Sequence, residues 1–177
     1  MEQGDPDVSL RIRARAASAL GADVRIAIYA EAAPLIHDAA HARIVEAVLA
    51  MCHPSWSVTL ESPVPGPGRR SSDVRLDRGL DIILLEVESR VRAFEAIIRE
   101  GAEKRAAVAA AASPDRRVHV VLVLPTTRHH KELVAAHPRI AAAAYPVSSD
   151  TISRALGTPI GGWPGDGLLW VPPHRSR

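Results

Sequence analysis

LDIILLEVESR, residues 80–90, is an apolar run that closes on two glutamates separated by one valine. In an extended strand successive side chains point to opposite faces, so Glu86 and Glu88 emerge on one side and Val87 on the other. Two like charges close together in a region of lowered dielectric are stable when hydrated, protonated, salt-bridged or metal-bound. The partners that the rest of the chain supplies to these carboxylates therefore decide both the fold and the chemistry.

The nearest partners lie just upstream. SSDVRL (71–76) and LDIILLEVE (80–88) flank Asp77, Arg78 and Gly79, with glycine where a tight turn needs positive φ, so the two segments read as a hairpin. A turn on Arg78 and Gly79 sets Asp73 opposite Leu84 and diagonal to Glu86, on the same face. A three-residue turn without a bulge would shift the register by one and send Asp73 to the other side. In the first case Asp73, Glu86 and Glu88 share one surface. Mg²⁺ takes one or two carboxylates and keeps waters and substrate phosphates, a need that Asp73 and Glu86 meet.

The elements around the hairpin follow from periodicity and punctuation. WSVTLESPV (56–64) reads as a strand ended by the PGPG loop. An alanine-rich helix runs from about Arg90 to Ala112, and VHVVLVLP (118–125) is the unbroken apolar run of a strand covered on both faces. Upstream, VSLRIRARAASAL (8–20) is a short amphipathic helix closed by Gly21, DVRIAIYA (23–30) a strand, and Pro34 opens a helix through Met51. The stripe of that helix is Leu35, Ala39, Ala42, Val45, Val48 and Leu49. The expected core, residues 34–125, is thus helix, three strands, helix, strand: an α/β fold with a mixed sheet flanked by helices. After it come a helix over 128–137, a short strand near IAAAAYPV (140–147), a helix from Ser149 to Leu156, a surface loop GTPIGGWPGDG (157–167) and LLWV (168–171). The glycines of that loop do not follow a strand and open a helix, so they do not read as a phosphate cradle.

Composition bounds the answer. The chain has 177 residues, 47% of them hydrophobic, which suits one domain, residues 1–22 being a helical extension. A net charge of +2 is too small to be an electrostatic footprint for nucleic acid by itself. Cys52 is the only cysteine, the N-terminus is acidic, and no apolar stretch approaches the roughly 20 residues that span a bilayer. These features suit a cytoplasmic protein without membrane contact. Lys104 and Lys131 are the only lysines in a chain that otherwise uses arginine, which makes a helical lysine informative.

The order of elements and these residues together resemble the PD-(D/E)XK nuclease superfamily, with its restriction-endonuclease-like core. The resemblance puts the family's acidic residue on Asp73 and its (D/E)-x-K motif on Glu86-Val87-Glu88. It puts the first-helix glutamate on Glu46 in HARIVEAVL, and a basic long-helix position on Lys104 in EGAEKRAA. It implies a phosphodiesterase acting on nucleic acid, with Glu46, Asp73 and Glu86 holding Mg²⁺ or Mn²⁺ and with Asp73, Glu86, Glu88 and Lys104 catalytic. Glu88 stands where the family has lysine, and Lys104 would substitute for it. A second resemblance covers residues 14–171, to the domain that follows the helix-turn-helix in Xre-type bacterial regulators. It rests on DAAH (38–41), HP (53–54), EVESR (86–90), Lys104 and TTR (126–128). It implies the alternative, a non-catalytic effector-binding or dimerisation domain of a transcription regulator. The partner would then be DNA, held weakly by this chain alone, with a homodimer or a separate helix-turn-helix protein completing the unit.

Simpler readings stand beside these. Glu46 also reads as a solvated helix residue and Lys104 as the helical-spacing partner of Glu100. His37 and His41 have the i, i+4 spacing of a zinc grip, but Asp38 is shorter than the glutamate such a motif needs and no third ligand is evident. His129 and His130, at a loop-to-helix junction, read as solvated, and Cys52 as packed. No Ser-His-Asp or Cys-His nucleophile pattern is recognisable.

Overall fold

The computed structural model describes residues 39–91 and 93–173. The expected helix at 8–20, the strand at 23–30, the start of the helix opened by Pro34, and His37 lie outside the described residues. The elements run α1 (Ala39–Leu49), β1 (Ser57–Pro63), β2 (Ser71–Arg78), β3 (Asp81–Val87), α2 (Phe94–Ala111), β4 (Arg117–Pro125), α3 (Arg128–Ala136), α4 (Pro138–Ala144), α5 (Ser149–Gly157) and β5 (Gly167–Val171). They form a five-stranded sheet in the order β1-β2-β3-β4-β5, antiparallel from β1 to β3 and parallel from β3 to β5. The protein is therefore α/β with a mixed sheet flanked by helices. No described helix is long and apolar enough to cross a membrane.

Strand β3 is buried at every position, because both of its faces are covered. Ile83 and Leu85 join Val121, Val123, Ile44, Val48, Ile152 and Leu156 on the α1/α5 side. Ile82 and Leu84 join Leu122, Leu124, Phe94 and Val108 on the α2 side. Glu86 has the parity of Ile82 and Leu84, so the strand that fills the core also delivers a carboxylate beneath α2.

The β2–β3 hairpin departs from the expected register by two residues. Arg78 pairs with Asp81 and Val74 with Leu85, leaving Gly79 and Leu80 as a two-residue loop. Gly79 has φ +56°, and the only non-glycine with positive φ among the described residues is Glu61, so glycine leads the loop as in a type II′ turn, whose twist matches that of paired strands. Leu80 thus belongs to the turn and not to the strand. A shift of two keeps the face, and Asp73 still shares one with Glu86.

Three other expectations are corrected. IAAAAYPV is not a strand: Pro138 starts α4, its run of four alanines favours helix, and only Val147 pairs, through a single parallel bridge to Gly167. The loop 157–167 is not wholly at the surface, since Trp163 is buried edge-on against Trp56, with ring centroids 5.6 Å apart. The buried stripe of α1 is His41, Ile44 and Val48, rotated from the expected one, and Glu46 faces outward.

Candidate functional site

The start of β2 and the end of β3 lie at one end of the antiparallel pair, and there the ladder is interrupted. On the β1 side Leu60 pairs with Val74 and Ser62 with Ser72, leaving Glu61 and Asp73 unpaired between them. Glu61 adopts φ +48°, a left-handed conformation that costs a non-glycine residue about 1 kcal/mol or more. Ser71 Oγ donates to Glu61 Oε2 at 3.0 Å. Released from the ladder, Asp73 accepts the Val87 backbone N–H through Oδ2 at 2.6 Å and turns Oδ1 toward His41 Nε2, 3.6 Å away. Burial raises the Asp73 pKa, and the Val87 N–H, His41 and Lys104 pull against it.

Beneath α2, Lys104 Nζ donates to Glu86 Oε2 at 2.6 Å and lies 3.1 Å from Glu100 Oε1. Glu86 and Lys104 are each only 7% exposed. The second Glu86 oxygen, Oε1, is buried with no hydrogen-bond partner, an unfavourable state for a carboxylate that normally accepts several bonds. Burial pushes the Glu86 pKa up to about 7 against the pull of Lys104, and nearby Asp73 adds to the rise. Glu88, half-buried, is pushed up to about 6 by burial and by Asp73 and Glu100. Burial opposes the charge of Lys104, but the Glu86 and Glu100 carboxylates outweigh it and raise its pKa. Lys104 therefore stays an ammonium, and the proton held near neutrality belongs to the carboxylates.

These groups line an open cleft of about 420 Å³ between the β1–β2 loop, the end of β3 and α2. Its wall includes His41, Glu61, Asp73, Glu86, Glu88 and Lys104. One ligand atom from each of His41, Glu61 and Asp73 falls within 4.8 Å of the others, a spacing that a single divalent ion can bridge. An apolar groove of about 390 Å³ adjoins it, lined by Val45, Leu49 and Leu60 and sharing His41, Glu61 and Asp73 with the cleft.

The chain matches no protein-family model, no curated protein and no solved structure. The site is read from its own geometry.

Of the residues singled out from sequence, Asp73, Glu86, Glu88 and Lys104 come together in the cleft, whereas Glu46 is exposed and lines the apolar groove beside it. His41 was weighed as a zinc ligand with His37 and set aside, and Glu61 was not singled out. His41 was legible from its spacing to Ile44 and Val48 at i+3 and i+7, which puts it on the buried stripe. Glu61 left no signal, because its role depends on a local left-handed backbone. Lys104 does pair with Glu100, as the simpler reading held, and with Glu86 as well. His130 is not solvated: it is buried, its Nδ1 lying 2.8 Å from Thr127 Oγ1, while the Thr127 hydroxyl caps α3 by accepting from the His130 N–H. Cys52 is half-buried, donates to Val48 O at 3.4 Å, and its thiol is pushed up to about 11, a packed group and not a nucleophile.

Proposed function

We propose that this chain is a divalent-metal-dependent phosphodiesterase acting on nucleic acid, built on a restriction-endonuclease-like core. The observation that carries the reading is the buried, unpartnered Oε1 of Glu86 in the cleft that also holds Asp73, Glu61 and His41. A carboxylate oxygen left without a donor while its twin is held by an ammonium has the disposition of a metal ligand. Asp73 and Glu86 would hold Mg²⁺ or Mn²⁺, with His41 and Glu61 completing the set. The imidazole suits Mn²⁺ better than the harder Mg²⁺. Glu46, facing the adjoining groove, is no part of this set.

A divalent ion there would supply a water of lowered pKa and polarise the scissile phosphate. The residues of the chain supply the rest. Asp73, fixed by the Val87 N–H, orients the ligand set. Lys104, charged and buried against Glu86, would stabilise charge developing on the phosphate, the part of the lysine that Glu88 replaces in the EVE sequence. Glu88, pushed up to about 6 and so mostly ionised at neutral pH, can accept a proton.

The test is incubation of the purified protein with DNA and RNA in Mg²⁺, Mn²⁺ or EDTA, beside Asp73→Ala and Glu86→Ala. The expected result is metal-dependent cleavage lost in both variants. Cleavage that survives both would refute the site. Metal binding without cleavage would turn the reading toward the non-catalytic regulator domain, which the glutamate at position 88 favours.

A further inference from the structure

The cleft wall carries five carboxylates and four permanent cations, and the cations are used unequally. Lys104 is locked between Glu86 and Glu100. Arg70 is tied to Glu103 of α2 at 3.3 Å, which pins the β1–β2 loop over that helix. Arg69 and Arg90 are exposed and make no hydrogen bond or ion pair among the described residues, although acids that could neutralise them line the same cleft. An arginine beside carboxylates that stays unpaired keeps its full fork of donors for an incoming anion.

Their positions follow from the fold. Arg69 precedes β2 and Arg90 follows β3, so the antiparallel pairing puts both at the end of the hairpin where Asp73 and Glu86 stand. The segment PGPGRR that presents Arg69 is stiffened by Pro65 and Pro67 and bent by Gly66 and Gly68, at φ +120° and +84°. A Cβ on Gly66 would come within 3.3 Å of Arg70 Nη2, so the loop is closed tightly on its own arginine. Arg69 is thus carried on a shaped loop, Arg90 on the segment that follows β3, and both line the cleft.

We infer that Arg69 and Arg90 are positioning residues that hold the phosphates on either side of the one at the carboxylate floor, so that the cleft takes a nucleic-acid strand and not a lone nucleotide. This rests on the reading of the cleft given above. An acidic floor alone repels a polyanion; unpaired cations on the cleft wall attract it and set its register, while leaving sequence unread.

The test is fluorescence anisotropy with a labelled single-stranded 12-mer in Mn²⁺, in a Glu88→Gln background that removes the proton acceptor while leaving the proposed metal ligands in place. Arg69→Ala and Arg90→Ala should each weaken binding several-fold and lower the slope of log affinity against log salt by about one. Arg139→Ala, at an exposed residue of α4 that does not line the cleft, should change neither. The inhibition constant of a competing mononucleotide should be unchanged by the arginine substitutions, because it spans only the floor. A double Arg69→Ala, Arg90→Ala protein that binds the 12-mer with unchanged affinity and salt slope would overturn the inference. This readout needs no cleavage, so it fails or succeeds separately from the catalytic reading.

Discussion

Lys104 Nζ holds one oxygen of Glu86 at 2.6 Å while the other oxygen of the same carboxylate is buried without a partner. The pair is therefore half-satisfied, and its energetics depend on which group loses its counterpart. Removing one member of a buried pair is costly because it strands the other charge, whereas a carboxylate can escape by taking up a proton.

Lys104→Ala should accordingly destabilise the metal-free protein by on the order of 2 kcal/mol at pH 8, and by less at pH 5, where Glu86 is already neutral. Urea melts at the two pH values check this. Equal losses at both would mean that the ammonium acts through packing and not through charge.

Stability of the metal-free wild type should fall as pH rises. Glu86 titrates near 4.5 when unfolded and near 7 in the fold, so between those values the folded state binds more protons. Its contribution is fully present below 4.5 and is lost as pH passes through about 7; Glu88, pushed up to about 6, adds in the same direction over a lower range. Thermal melts in EDTA from pH 4.5 to 8 should show the decline, and Glu86→Gln should flatten most of it.

Metal should reverse the order of stability between wild type and Asp73→Asn. In EDTA the substitution relieves carboxylate repulsion and should raise stability by on the order of 1 kcal/mol, since an amide oxygen can still accept from Val87. At ten times its dissociation constant Mn²⁺ should stabilise the wild type by about 1.4 kcal/mol and the variant hardly at all. Melts of both proteins with and without Mn²⁺ would reveal the crossover; an Asp73→Asn protein that melts lower in EDTA, with neither protein responding to Mn²⁺, would sink the pocket.

Glu61 offers a test through the backbone. Glu61→Gly should change stability in EDTA by less than about 1 kcal/mol, relief at φ +48° offsetting the added chain entropy, yet weaken the Mn²⁺ response. Glu61→Val should cost about 2 kcal/mol, because a β-branched residue fits that conformation poorly. Calorimetry on the two variants separates strain from ligation.

The sequence carried the order of elements from α1 to β4 and the gathering of Asp73 with Glu86, because the strands show in apolar runs and alternation and one glycine marks the turn. It did not carry the register: Leu80 looks like the first residue of a strand, and only tertiary pairing makes it the second residue of a loop. It misread IAAAAYPV by length and surroundings, although the alanines and Pro138 pointed to helix. The rotation of α1, which brings His41 in and turns Glu46 out, depends on how a weakly amphipathic helix settles on the sheet; the alanines that dilute its stripe leave several rotations nearly equal in apolar burial.

The hairpin that joins Asp73 to Glu86 closes over two residues, while Lys104 arrives on a helix that belongs to a crossover between parallel strands. Short closures form ahead of long ones, since less chain entropy is lost. A hairpin that closes ahead of α2 would assemble the acids before the base that balances them, and would carry uncompensated negative charge at that corner. Refolding should then be faster at pH 5.5, where protonation quiets the repulsion, than at pH 8, while Glu86→Gln should erase the difference; stopped-flow tryptophan fluorescence that shows the same pH dependence in both proteins would contradict this order of events.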